Sequence, residues 1–119
     1  MKLPVVLAGA TLIAGAAVAA PLPKPASFAV CGVCHQVDAA KPSGIGPNLW
    51  GVNGRVSGTL AGYAYSPAMK AAKVKWDKAS LDAYLTAPQK HVPGTKMAYA
   101  GQADAAKRAE IVSYVLSLK

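Results

Sequence analysis

Both cysteines of this chain lie in one five-residue segment, Cys31-Gly32-Val33-Cys34-His35, which constrains the fold more than any other feature. On one helical turn, two thiols at this spacing can form thioethers with the two vinyl groups of a haem, and the adjacent imidazole can then reach the iron. This spacing is the attachment motif of c-type haem. A chain bound in this way has to fold its remaining residues around the porphyrin.

Three other chemistries compete for these residues. An exported protein with two cysteines can form a simple disulfide. A thioredoxin-like redox pair requires a strand–helix unit around it, and this sequence has no alternating strand rich in Val and Ile. A structural zinc site requires four ligands, and Cys31, Cys34, His35 and His91 lack the usual paired spacing. The histidine directly after Cys34 favours haem attachment.

The polypeptide has few large side chains with which to build its own core. Hydrophobic residues make up 53% of the chain, but many of them are alanines, and the chain holds one Phe beside 11 Gly and 9 Pro. A domain of this composition does not readily offset the entropy lost on folding. A covalently bound porphyrin would supply the missing apolar bulk.

Residues 1–19 have the pattern of a secretory signal peptide. Lys2 is the sole charge before residue 20, an apolar run follows it, and Ala17-Val18-Ala19 is a small-residue cleavage site. We therefore predict export to the periplasm and a soluble domain of residues 20–119. Residues 3–20 are also about long enough to form an uncleaved membrane anchor, although their many Gly and Ala residues make insertion weak.

The charge of the chain favours acidic partners. Its formal net charge is +8, and removal of Lys2 with the signal peptide leaves +7. Nucleic acid is an unsuitable partner because the chain carries an export signal, has only two arginines and lacks basic runs interleaved with aromatic residues. Acidic docking sites on other proteins fit the charge better.

The pattern of capping residues and prolines predicts one all-α domain with short helices and long loops. A short helix is expected over residues 25–30, and the glycine-rich residues 41–62 are expected to form a loop around a cofactor edge. Ser66 and Pro67 begin a helix that runs to about Lys73, and Asp77 caps the next helix, which Pro88 ends.

The last helix is expected to run from near Asp104 to Leu118. One apolar stripe along it is formed by Ala105, Ala109, Val112 and Leu116.

Several motifs in chain order carry a family resemblance. They are Cys31-Gly32-Val33-Cys34-His35, Gly46-Pro47-Asn48-Leu49-Trp50-Gly51-Val52, Gly54-Arg55, Gly62-Tyr63-Ala64-Tyr65-Ser66, Trp76, Tyr84-Leu85 and Pro93-Gly94-Thr95-Lys96-Met97. Residues 28–118 thereby resemble class I cytochromes c of the mitochondrial and soluble bacterial type. The resemblance implies the class I cytochrome c fold, one haem c bound through two thioethers, and a monomer.

Three residues are candidates for the iron ligand opposite His35. Met69 lies among small helical residues, where methionine is usually a gap-filler, and His91 has the pattern of a polar loop residue beside Pro93. Met97 follows a Pro-Gly-Thr-Lys turn that can present a side chain. In the family, the methionine of this segment is the ligand, so the resemblance implies Met97. A His/Met pair raises the reduction potential and leaves no open position for substrate.

The resemblance also assigns residues around the haem. The carbonyl of Pro47 accepts the Nδ1 proton of His35. The family positions that meet the haem propionates are occupied here by Arg55, Tyr65 and Trp76. Tyr84 and Thr95 match family residues near the methionine sulfur and the inner propionate.

This sequence departs from the family at several positions. Phe28 stands three residues before Cys31 and follows a proline-rich segment, so the N-terminal helix is shortened. Met69 replaces a polar asparagine. Family members carry a ring of lysines around the haem edge. Lys90 and Lys96 match this ring, whereas Gln89 and Val30 occupy positions where the family has cations.

We therefore predict an electron carrier rather than an enzyme. It would link membrane-associated respiratory or photosynthetic complexes, such as a cytochrome bc-type complex and a terminal oxidase or reaction centre. Two alternatives remain open at this point: a haem peroxidase whose iron becomes accessible when Met97 dissociates, and the dedicated electron acceptor of one periplasmic dehydrogenase.

Overall fold

The computed structural model describes residues 4–15 and 19–119. Lys2, Ala17 and Val18, on which the signal-peptide prediction partly depends, lie outside the described residues. Residues 4–15 form no helix or strand. Among the described residues, no helix has the length and apolar character required to cross a membrane.

Five short helices lie within the described residues and form the domain, and long loops connect them. They are α1 (Ala29–Gly32, which continues a 3-10 turn over Ala26–Phe28), α2 (Pro67–Ala72), α3 (Lys78–Thr86), α4 (Pro88–His91) and α5 (Ala105–Leu116). In the described part of the chain, the β-structure consists of one isolated bridge between Val56 and Lys75. The predicted all-α class is confirmed.

The helices begin at the predicted capping residues. Ser66 Oγ accepts a hydrogen bond from Met69 N at 3.1 Å at the start of α2. Asp77 and Ser80 form a reciprocal capping box at α3, with both bonds at 2.9 Å. Asp104 Oδ1 accepts from Lys107 N at 3.0 Å at α5. Each side chain satisfies a backbone N–H that has no partner within its helix.

One helix was not predicted from the sequence. Pro88 ends α3, as expected, but it also begins α4, because proline is tolerated in the first turn of a helix. His91 N donates to Ala87 O at 3.0 Å and Val92 N donates to Pro88 O at 2.9 Å. His91 therefore ends a helix instead of lying in a loop, and this corrects the prediction.

The face that α5 buries also differs from the predicted stripe. Ala105 and Ala109 are exposed, because the larger side chains turn toward α3 and the 3-10 turn. The buried residues of α5 are Ile111, Val112, Tyr114 and Val115.

The shortened N-terminal helix still packs against α5. The rings of Phe28 and Tyr114 meet edge-to-face with 4.9 Å between their centroids. Before the 3-10 turn, Leu22 N donates to Ser117 Oγ at 3.0 Å. On the other side of α5, Arg108 Nε forms an ion pair with Asp82 of α3 at 2.7 Å. These contacts hold residues 22–28 and α3 against α5.

Candidate cofactor site

The helices and loops enclose a largely apolar cavity of about 380 Å³. Helices α1, α2, α3 and α5 and the loops over residues 43–66 and 95–99 contribute to its wall. All of the site residues predicted from the sequence line this cavity: Cys31, Cys34, His35, Pro47, Arg55, Tyr65, Trp76, Tyr84, Thr95 and Met97. The fold thus brings together residues that are up to 66 positions apart in the sequence, from Cys31 to Met97.

The attachment segment lies at one edge of the cavity on a helical turn. Cys34 N and His35 N both donate to the carbonyl of Cys31, at 3.1 and 3.0 Å. Cys31 and Cys34 are half-buried and are not joined in a disulfide. Burial raises the pKa of the Cys31 thiol, although its backbone hydrogen bond opposes this. The described residues include no cluster of three His, Cys, Asp or Glu arranged to hold a metal ion.

The ring of His35 is oriented by the loop that follows it. Its Nδ1 lies 2.7 Å from the carbonyl oxygen of Pro47, which has no proton to give, so Nδ1 donates. Burial lowers the pKa of His35, and the hydrogen bond to Pro47 opposes this. The neutral ring therefore carries its lone pair on Nε2, which has no hydrogen-bond partner among the described residues. An imidazole prepared in this way can bind a metal ion.

Gly46 is a functional position that the sequence analysis did not identify. A Cβ atom at this residue would lie 2.6 Å from Cε1 and 2.8 Å from Nδ1 of His35. The glycine therefore lets the backbone lie against the imidazole face while Pro47 accepts its proton. The Gly-Pro pair at the predicted acceptor was the signal in the sequence.

The turn that carries Met97 is tied to the helices behind it. The hydroxyls of Tyr84 in α3 and Thr95 share a buried hydrogen bond of 2.8 Å, and Gln89 Nε2 in α4 donates to Thr95 O at 2.8 Å. Burial raises the pKa of Tyr84, and the bond to Thr95 opposes this. Met97 itself is half-buried. From the sequence, Gln89 is only a position where the family has a cation. Its bond to Thr95 depends on the position of α4.

Arg55 braces the loop as well as lining the cavity. Its Nη1 donates to Asn48 O at 2.9 Å and its Nη2 donates to Trp50 O at 2.6 Å. Burial lowers the pKa of the Arg55 guanidinium, and the neighbouring Tyr65 opposes this. Trp76 is buried nearby. The cavity wall therefore includes a guanidinium, a phenol and an indole, all of which can donate hydrogen bonds to carboxylates.

Asn48 is a second position that the sequence analysis did not single out. Its buried Nδ2 donates to the carbonyls of Asp38 and Lys41, both at 2.8 Å, and its Oδ1 accepts from Trp50 N at 2.9 Å. One amide thus holds the turns on both sides of Pro47. Asparagine next to a Gly-Pro pair was the available signal.

Met69 and the remaining lining make the cavity suitable for a flat apolar group. Met69 in α2 is 9% exposed and lines the wall together with Leu81 and Ile111. An imidazole and a thioether line the same apolar space, and two unpaired thiols lie at its edge. This donor set fits a haem held by two thioethers.

Comparison with known proteins gives a consistent result. Residues 25–119 match the family model described as cytochrome c. A cytochrome c2 of Rhodoblastus acidophilus is 42% identical over 92 residues, which are 77% of this chain and 86% of that protein. A cytochrome c of Euglena viridis is 48% identical over 88 residues, or 74% of this chain and 85% of that protein. The solved structure of cytochrome cH from Methylobacterium extorquens has a TM-score of 0.70 and 41% identity, and the match covers 75% of this chain and 89% of that chain.

Proposed function

Because the chain belongs to the cytochrome c family, whose members bind covalent haem c and transfer electrons without acting as enzymes, we propose that it shuttles single electrons between membrane-associated respiratory or photosynthetic complexes. The observation that carries this proposal is an apolar cavity that both His35 and Met97 line. When bound, the haem supplies an iron that gains or loses one electron. Two protein ligands leave that iron no open position for a substrate.

We assign the site residues as follows. Cys31 and Cys34 form the thioethers, and His35 and Met97 are the two iron ligands. Pro47 fixes the orientation of His35, which is supported by the 2.7 Å contact to Nδ1. Tyr84 and Thr95 hold the Met97 turn through their mutual hydrogen bond.

Arg55, Tyr65 and Trp76 form the proposed propionate end of the site. Burying a carboxylate is costly unless it is paired and hydrogen-bonded. A guanidinium, which keeps its charge, together with a phenol and an indole N–H can offset that cost. The two carbonyls that Arg55 also binds keep its side chain in place before a propionate arrives.

Covalent attachment and ligation are tested together. Haem should stay with the polypeptide on a denaturing gel, and the Cys31→Ala/Cys34→Ala variant should lose it. The ferric protein should show a Met–Fe absorption band, and the ferrous protein should not bind carbon monoxide. Rapid carbon monoxide binding together with peroxide turnover would instead support a peroxidase.

The proposed location and partners follow from the sequence and charge. Residues 1–19 would be removed on export, and residues 20–119 would act in the periplasm with acidic docking sites on a cytochrome bc-type complex and on an oxidase or reaction centre. The mass of the protein from a periplasmic fraction tests the cleavage. Oxidation and reduction by native membranes test the partners, and both rates should fall as salt screens the lysines. Turnover only with a soluble dehydrogenase would contradict the proposed partners.

A further inference from the structure

Tyr63 connects two of the loops that line the cavity. Its hydroxyl donates to the carbonyl of Ile45 at 2.9 Å. Ile45 directly precedes Gly46 and Pro47, the residues against which the His35 ring lies. Tyr63 therefore holds the loop before α2 to the loop that orients His35.

Lys96 connects the same aromatic ring to the third loop. Its Nζ lies 4.5 Å from the centroid of the Tyr63 ring, and it also donates to the carbonyl of Ala64. Lys96 directly precedes Met97. Tyr65 packs edge-to-face on the Tyr63 ring, with 4.8 Å between the ring centroids. Although we predicted Lys96 to be a docking cation, its ammonium group is engaged within the protein.

Other contacts connect the Met97 turn to two helices. Gln89 and Tyr84 bind Thr95 and tie the turn to α4 and α3. The contacts of Ile45, Tyr63, Ala64 and Lys96, which we call the Tyr63 clasp, tie it to the loops on the His35 side. The residues of the clasp except Ala64 line the cavity.

We propose that the Tyr63 clasp holds the Met97 turn closed over the haem and sets the rate at which Met97 leaves the iron and small ligands reach it. The inference rests on the proposed ligation by Met97. Each contact stabilises the closed form modestly, because a net hydrogen bond changes an equilibrium about fivefold and an exposed cation–π contact changes it about two- to fivefold. The contacts act in series, since the loss of either one frees the Met97 turn from the His35 loop.

The test uses the ferric holoprotein and a saturating concentration of imidazole as the probe. Under these conditions the rate at which the Met–Fe band disappears reports the opening of the turn. Tyr63→Phe removes the bond to Ile45 but keeps the ring, and Lys96→Met removes the ammonium but keeps the aliphatic stem. We expect each variant to open about fivefold faster and Lys96→Arg to stay within about twofold of wild type.

Two matched variants control for the lost hydroxyl and the lost charge. The hydroxyl of Tyr114 has no hydrogen bond with a described residue, and its ring packs on Phe28, so Tyr114→Phe should open at the wild-type rate. Lys90, in α4, does not line the cavity, so Lys90→Met should do the same. Wild-type opening rates in Tyr63→Phe and Lys96→Met would overturn the proposal.

The double variant distinguishes a clasp from two independent contacts. For contacts in series, Tyr63→Phe/Lys96→Met should open little faster than the quicker single variant, whereas multiplied effects would overturn the proposal. If the wild-type protein lacks a Met–Fe band, the assignment of Met97 as an iron ligand fails. Hydrogen exchange then tests whether the Tyr63 clasp holds the turn. The amides of Gly46 and Tyr99, bonded to Cys34 O at 2.9 Å and Met97 O at 3.0 Å, should exchange faster in both single variants. Unchanged exchange at these two amides would overturn the proposal.

Discussion

At the residue scale, Gly46 is tightly constrained because it lies against the ring of His35. A backbone position without a side chain is therefore needed beside the proposed iron ligand. A methyl group at this position would overlap two ring atoms, at 2.6 and 2.8 Å. Either the ring would then move away from Pro47 or the loop would shift.

We predict that Gly46→Ala destabilises the ferric holoprotein by about 1–3 kcal/mol, the usual cost of overpacking a tightly packed site. Denaturant unfolding measures this change. Gly44→Ala is the matched control, because its Cβ would meet Cys34 O at an ordinary 3.5 Å. Its free energy of unfolding should stay within about 0.5 kcal/mol of wild type. Equal stabilities for the two variants would contradict the packing argument.

At the element scale, Phe28 provides the aromatic contact between the 3-10 turn and α5. Phe28 is 1% exposed and Tyr114 is 4% exposed, and their rings meet edge-to-face. We expect Phe28→Leu to lower the free energy of unfolding by about 1–2 kcal/mol, because it loses both ring contacts and packing. A double-mutant cycle with Tyr114→Leu should give a coupling of about 0.5–1.5 kcal/mol. Additive effects would show that the rings do not interact.

The N-terminus of α5 gives a pH-dependent prediction. The backbone N–H of Lys107 donates to the Asp104 carboxylate and lowers its pKa from the usual 3.8. Because the pKa of Asp104 is lower in the folded state, the stabilisation is complete above the unfolded-state pKa. It is lost as the pH falls through the folded-state pKa. Asp104→Ala should therefore lower the Tm by about 5 °C at pH 7, and the difference should shrink in acid.

Thermal unfolding followed by circular dichroism from pH 7 to pH 2 measures this effect. Asp104→Asn is the control, because its amide oxygen can still accept the hydrogen bond while its charge is absent. At pH 7, the Tm of Asp104→Asn should lie closer to that of wild type than to that of Asp104→Ala. A difference between Asp104→Ala and wild type that stays constant across the whole range would contradict the assignment.

At the scale of the whole molecule, the cavity governs folding. Without haem, a space of about 380 Å³ leaves the apolar side chains around it without packing partners. The packing that is lost matters because the whole stability of an ordinary domain is only about 5–15 kcal/mol. We therefore expect the haem-free protein to be largely unfolded, with little helical circular dichroism. A cooperative unfolding transition of haem-free protein would contradict this.

Local features of the structure were predictable because they depend on neighbouring residues. The caps at Ser66, Asp77 and Asp104 and the break at Pro88 follow from the hydrogen-bonding capacity of a few consecutive residues. The predicted stripe of α5 is confirmed at Val112 but wrong at Ala105 and Ala109, because periodicity counted its alanines equally with larger residues. Which side chains are buried was decided by α3 and Phe28, which are distant in sequence.

The sequence by itself determined where haem attaches, because the two cysteines and the histidine lie within one helical turn. It also predicted ten of the residues that line the cavity, but those outside the attachment segment only through their order along a family pattern. Tertiary structure alone decided that Gly46 lies against His35, that Arg55 and Asn48 brace the loop, and that Lys96 lies over Tyr63. These contacts join residues from separate loops whose relative positions are set by packing around a shared cavity, so no local pattern encodes them.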